Sequence, residues 1–226
     1  MIVVNLCGAP GAGKSTGAAY VFSKLKMAGV NAELVTEFAK DKTWEKNHKV
    51  FENQLYMLAK QYFRLTRCED QVDVIVTDSP LLLSLAYNTD TERLGENFEK
   101  LVVDLFNSYD NMNYFVNRVK PYNKAGRNQT EEESDKLSKV IRRIFKDCGC
   151  KVTEINGDIK GYDKIVNDVL QRILMNDIFN DDRGQWIFED GWVTCSKCGA
   201  QPYKGRKNID FDNLDEVCPE CGARMD

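Results

Sequence analysis

No apolar run in this 226-residue chain reaches the roughly 18 residues that a membrane-spanning helix needs, so no membrane partner is expected. The opening stretch MIVVNLCGAP has no basic residue ahead of its apolar core and no small-residue cleavage site. It reads as a buried first strand rather than a signal peptide, and a cytoplasmic location is expected. Positive charge is not in excess. Lysine and arginine number 31 against 35 aspartates and glutamates, a net charge of −4, so no overall basic field draws the chain to nucleic acid. Histidine is nearly missing: His48 stands alone in the polar, helical-looking stretch WEKNHKVFENQ, where a solvated or packed side chain is the preferred reading. There are no internal repeats and no low-complexity tract. Eight cysteines without an export signal argue against a disulfide framework.

What is present suits a globular α/β protein. Hydrophobic residues make up 42% and charged residues 29%. Short β-branched runs alternate with amphipathic stretches. Strands are expected over 2–7, 31–37, 72–77, 112–119 and 150–157. Helices are expected over 15–28, 44–68, 81–87, 97–108, 130–148 and 162–175. Thr130 and Glu133 form a capping box at the start of the 130–148 helix. Strand–helix alternation implies right-handed crossovers. The expected fold is a P-loop three-layer α/β domain with a mostly parallel five-stranded sheet over residues 1–176. A polar linker, 177–190, then leads to a small C-terminal zinc ribbon, 191–226.

Between the first strand and first helix lies GAPGAGKST, which matches the phosphate-loop pattern G-x-x-x-x-G-K-[ST]. Glycines at Gly8, Gly11 and Gly13 let backbone N–H groups curl around phosphate oxygens, with Ala9, Pro10, Ala12 and Thr16 completing the loop. The following helix aims its N-terminal dipole at the same anion. Lys14 would reach the β- and γ-phosphates of ATP, and the Ser15 hydroxyl would ligate Mg²⁺.

Asp78 closes the third strand. It stands either as the second Mg²⁺ partner at the sheet's carboxyl edge or as a cap of the turn SPLLL. Glu37 closes the second strand, either as the base that takes an acceptor's proton or as an exposed strand-end glutamate. Arg118, Lys120, Lys124 and Arg127 form a basic run interrupted by proline and glycine. It is either a lid whose arginines clamp the transferring phosphoryl group, solvated while the lid is open, or an ordinary solvated face. Trp44 and Gln54 are weak candidates for gripping a base, with helix packing the alternative.

Two GTPase hallmarks are missing. NKAG at Asn123 is not the Asn-Lys-x-Asp base-reading motif, and DSPL at Asp78 is not the Asp-x-x-Gly switch. GAPGAGKST, Glu37, VIVTDSPLLLSL and RVKPYNKAGRNQTEEES together resemble the P-loop kinase group that contains the nicotinamide-riboside kinase domain and its viral relatives, proteins often described as AAA-type and ATP-binding. More distantly the chain is similar to nucleoside and nucleoside-monophosphate kinases. The resemblance spans about residues 1–175. It implies ATP and magnesium roles for Lys14, Ser15 and Asp78 and lid roles for Arg118 and Arg127. DSP stands where many nucleoside kinases carry an acid–arginine pair, and the C-terminal cysteines are not part of the group's usual architecture.

Those cysteines are Cys195 and Cys198, then Cys218 and Cys221, with 19 residues, 199–217, between the pairs. This is the spacing of a four-thiolate zinc ribbon, and Gly199 and Gly222 supply the small residue each knuckle needs. From Gly191 onward five lysines and arginines face six aspartates and glutamates, and only Lys204 to Lys207 is locally basic. That composition does not make a grip on a phosphate backbone. The expected activity is therefore ATP- and Mg²⁺-dependent transfer to a nucleoside, nucleotide or similar small acceptor. The two alternatives are a polynucleotide or DNA-base kinase and a nucleotide-gated protein that docks a partner through the ribbon.

Overall fold

The computed structural model describes residues 1–89, 91–124, 129–180, 183–189, 192–204, 214–221 and 223–225. The chain divides into two compact units, Met1–Leu170 and Gln171–Asp226.

The first unit is built on five strands: β1 (Ile2–Cys7), β2 (Ala32–Val35), β3 (Val74–Thr77), β4 (Asp110–Asn117) and β5 (Val152–Asn156). Their order is β2-β3-β1-β4-β5 and every pairing is parallel. The sheet is thus wholly parallel, and β1 lies at its centre, where both faces are covered. Val3 and Cys7 face a core built with Leu58, Phe106 and Phe145. On the opposite face Leu6 lies beside Gly17 and Tyr162. This double coverage explains why β1 reads as a continuous apolar run rather than an alternating one. Its single polar member, Asn5, is buried but satisfied, donating to Asn111 Oδ1 at 2.8 Å and to Asn113 Oδ1 at 3.0 Å.

The helices are α1 (Lys14–Met27), α2 (Phe38–Trp44), α3 (Gln54–Thr66), α4 (Leu83–Tyr87), α5 (Thr91–Asn107), α6 (Glu131–Asp147) and α7 (Ile159–Asn180). Of the helix expected over 44–68 only α3 is α-helical through its length: Trp44 ends α2, which was not expected, and a 3₁₀ turn, His48–Glu52, lies between the two. The chain turns at Lys46, whose φ of 55° leaves the helical region, and restarts where the Asn53 side chain accepts the Tyr56 N–H at 3.0 Å. The apolar period survives the interruption, which is why spacing alone did not show it. α5 starts earlier than expected and is broken at Gly95, where φ is 50° and ψ −158°. The Thr130–Glu133 capping box forms, at 3.2 and 2.7 Å.

In the second unit, β7 (Trp186–Glu189) pairs antiparallel with β8 (Trp192–Cys195), and β6 (Arg183–Gly184) pairs parallel with β9 (Arg224–Met225). The stretch 177–190, expected as a linker, instead carries the end of α7 and strands β6 and β7. The apolar residues of Trp186-Ile187-Phe188 find a partner strand, which a count of polar residues around them does not reveal. Among the described residues no helix is long and apolar enough to cross a membrane.

Candidate active site

The end of β1 and the start of α1 enclose the phosphate loop. Gly8, Gly11 and Gly13 have φ of 139°, 84° and 102°, left-handed values that only glycine adopts without strain. At Gly8 space matters as well: a Cβ would lie 2.9 Å from the Val116 carbonyl oxygen. The first N–H groups of α1 have no partner within the helix, and a helix start that follows a glycine-rich loop can hold an anion. Lys14 Nζ donates to the Ala9 carbonyl at 3.2 Å, so its ammonium is held at the loop. Ser15 and Thr16 follow in the first turn of α1.

Asp78 directly follows β3, the neighbour of β1, and is buried. Its Oδ1 accepts the Glu37 backbone N–H at 2.9 Å. The residue that precedes the first turn of α4 is Leu82, not Asp78. Glu37 lies two residues beyond the end of β2, at the start of α2, and is half-buried. Burial pushes its carboxyl up from the usual glutamate range. The Lys14 ammonium opposes that rise, and the Asp78 carboxylate reinforces it. Tyr87 is near as well: burial first, then the Glu37 charge, pushes its phenol up, so it stays a hydrogen-bond donor.

Two cavities meet at the loop. The larger, about 650 Å³, is lined by Lys14, Ser15 and Glu37 at its base and by Phe38, Trp44 and Phe51 along its wall. The smaller, about 160 Å³, is lined by Lys120, Pro121, Asn123 and Gly157. Gly11, Gly13 and Thr16 line both. Trp44 and Gln54, the weak base-gripping candidates, and His48, read as solvated or packed, all stand on the wall of the larger cavity. Gln54 is buried and its amide nitrogen donates to the Phe51 carbonyl at 2.9 Å. The 3₁₀ turn between α2 and α3 is what brings the three together. Gln61, also on that wall, accepts the Phe38 N–H at 2.9 Å and so shapes the backbone beside Glu37.

The basic run divides. Arg118 was expected to be solvated. Its side chain is only 20% exposed and its Nη2 pairs with Asp135 at 2.7 Å and with Glu131 at 3.1 Å, while its guanidinium lies over the Tyr122 ring. The two acids belong to the first turns of α6, next in space to the end of β4, and their approach is a tertiary event. Lys120 lines the smaller cavity. Arg127 lies outside the described residues.

In the second unit the sulfur atoms of Cys195, Cys198, Cys218 and Cys221 all lie within 4.8 Å of one another. Cys195 and Cys221 are 3.9 Å apart, and Cys198 and Cys218 4.0 Å. A tetrahedral zinc with Zn–S bonds of about 2.3 Å separates its sulfurs by ~3.8 Å, close to the two pair distances, so the cluster is compatible with such an ion. Gly199, at φ 70°, turns the first knuckle and donates its N–H to the Cys195 carbonyl at 2.9 Å. Gly222 lies outside the described residues. None of the eight cysteines forms a disulfide. Cys7 and Cys68 are core residues, and Cys148 and Cys150 pack against the same core.

Residues 3–161 match the family described as an AAA domain, well over half of the chain. No curated protein matches the sequence. Among solved structures the chain is similar to deoxyadenosine kinase from M. mycoides with bound dATP, at 18% identity and a TM-score of 0.46, over 77% of this chain and 100% of that one. It is also similar to the YorR protein of Bacillus subtilis in complex with phosphorylated GDP, at 14% identity and a TM-score of 0.50, over 79% of this chain and 98% of that one. At these identities the likeness to YorR speaks for the fold. The chain belongs to the AAA-domain family.

Proposed function

We propose that the chain is a P-loop kinase, akin to the nicotinamide-riboside kinase group, that transfers the γ-phosphoryl group of ATP, with Mg²⁺, to a nucleoside-like acceptor. The observation that carries this reading is the pair of cavities sharing Gly11, Gly13 and Thr16. A phosphate loop with space on both sides can hold a donor nucleotide and an acceptor in line across it. The smaller cavity, with Lys120 and Gly157, suits the donor. The larger suits the acceptor, because Phe38, Trp44 and Phe51 offer flat apolar surface, Gln54 an amide, and Glu37 a carboxylate beside Lys14.

In this reading Lys14 neutralises charge on the transferring group, and Ser15 with Asp78 holds Mg²⁺, which supplies Lewis-acid stabilisation when bound. Glu37 accepts the acceptor's hydroxyl proton. Its raised proton affinity suits that role. Arg118 and Arg127 act from the lid. The activity is assigned to residues 1–176. In the C-terminal unit the four thiolates hold a structural zinc, with no open position for catalysis.

The test is a screen of nucleosides, nucleotides and oligonucleotides for acceptor-dependent ADP release. Salt-tolerant turnover of a free nucleoside is the expected result. Turnover confined to oligonucleotides and falling steeply with salt would favour the polynucleotide alternative. Tight ATP binding with no acceptor-stimulated turnover would favour a partner-docking protein.

A further inference from the structure

A phosphate loop works only if its N–H groups point inward, which requires its carbonyls to point outward and to find partners there. Two carbonyls of this loop accept from side chains of distant helices, that of Gly13 in addition to the Gly17 backbone N–H at 2.8 Å. Ser134, in the first turn of α6, donates its hydroxyl to the Pro10 carbonyl at 2.8 Å. Tyr162, in the first turn of α7, donates its phenol to the Gly13 carbonyl at 3.0 Å. Both donors are buried, at 1% and 4% exposure.

The same contact explains a glycine that the phosphate motif leaves unexplained. Gly17 sits inside α1 with no positive φ, where glycine costs about 1 kcal/mol relative to alanine. A Cβ at Gly17 would lie 2.4 Å from the Tyr162 ring, and one at Gly13 would lie 2.6 Å from its hydroxyl. The chain gives up helix propensity so that the ring can lie against the loop. Gly157, just before α7, is equally close: its Cβ would stand 2.3 Å from the Ala12 carbonyl oxygen.

We infer that Ser134 and Tyr162 are positioning residues that brace the phosphate loop through its carbonyls, setting its N–H groups for the phosphates. The inference rests on the phosphoryl-transfer reading of the loop. Ser134 lines neither cavity, so its effect on a nucleotide passes through Pro10, whereas Tyr162 also lines the smaller cavity; Ser134 is therefore the variant that separates bracing from direct contact. It also belongs to the helix whose first turns hold Arg118, so the base of the lid and the phosphate loop share one anchor.

The experiment measures Mg·ATP dissociation constants by calorimetry and melting temperatures on the full chain, for wild type, Ser134→Ala, Ser134→Thr, Tyr162→Phe and Gly17→Ala. Tyr162→Phe keeps the ring packing and removes only the hydroxyl. Ser134→Ala and Tyr162→Phe should each weaken ATP binding by roughly 5- to 20-fold. Ser134→Thr, which restores a hydroxyl, should recover most of that loss, and Gly17→Ala should weaken binding by displacing the ring. ATP affinity unchanged in both hydroxyl-deletion variants overturns the inference, as does a lowered melting temperature with no change in affinity, which would make the contacts merely structural. If the wild-type chain itself binds no Mg·ATP, the phosphate-loop reading falls and this inference with it. A wild type that binds while the variants bind equally well removes this inference alone.

Discussion

The backbone N–H of Glu37 donates to Asp78 Oδ1 at 2.9 Å. One hydrogen bond thus ties the residue at the head of α2 to the carboxylate at the end of β3, and sets two acids side by side where the Lys14 charge is felt. Asp78 is buried and held by a backbone donor, while the Glu37 carboxyl is left on the cavity wall. In the proposed reaction this arrangement would separate a metal-side acid from an acceptor-side base by position alone.

Glu37 predicts a pH dependence. Burial holds its carboxyl above the ordinary value of about 4.5, so kcat/KM should rise with pH along a limb displaced above the usual glutamate range. Glu37→Gln should remove that limb and lower kcat by about 10²- to 10³-fold. Stability moves the other way. Between the unfolded and folded values the native state holds a proton that the unfolded chain has released, so wild-type stability falls as pH rises through that window and stays lower above it. Glu37→Gln should therefore melt higher than wild type at pH 7 and no higher near pH 4. Equal melting at both pH values contradicts the burial cost.

Lys14 is the one cation carried by the phosphate loop itself. Its amine bonds only the Ala9 carbonyl among the described residues, so Lys14→Ala should leave the fold intact and cost at least about 10²-fold in turnover. Calorimetry and ADP release on the same sample check both halves. Unchanged turnover would sink the phosphate-loop reading.

The two lid arginines should behave differently. Arg127→Ala should slow turnover by something like 10²-fold, with little change in ATP affinity or melting temperature. Arg118→Ala should also lower the melting temperature, because it releases Glu131 and Asp135 at the head of α6. Among the described residues Arg118 Nη1 is buried with no hydrogen-bond partner, which leaves it a donor for charge that develops in the closed state. A melting shift for Arg118→Ala with turnover intact would make that arginine structural.

Metal analysis of purified protein should find one zinc per chain, and Cys218→Ser should lose it. In a small unit of this kind the binding free energy of the ion is folding free energy, so a chelator should unfold the C-terminal unit. Met1–Leu170 has its own sheet and core and should stay folded. Finding no zinc, or eight freely reactive thiols in the native chain, refutes the ribbon.

Several features were readable because they depend on neighbours in sequence. The phosphate loop, the Thr130–Glu133 capping box, Gly29 ending α1 at φ 85° and the two Cys-x-x-Cys knuckles each place their partners within a few residues, so spacing carries the geometry. The parallel sheet followed from strand–helix alternation, since right-handed crossovers leave few arrangements. Other features became visible only in the folded chain. Ser134 meets Pro10 across 124 positions and Tyr162 meets Gly13 across 149. Arg118 finds Glu131 and Asp135, and a 3₁₀ turn inside an unbroken apolar period swings Trp44, His48 and Gln54 onto one cavity wall. Local spacing does not show what any of these residues touches, because their neighbours are set by what the crossovers bring beside them. That the chain folds around a phosphate loop follows from residues adjacent in sequence. The packing of α2, α3, α6 and α7 around that loop decided what lines its cavities and what holds it in shape.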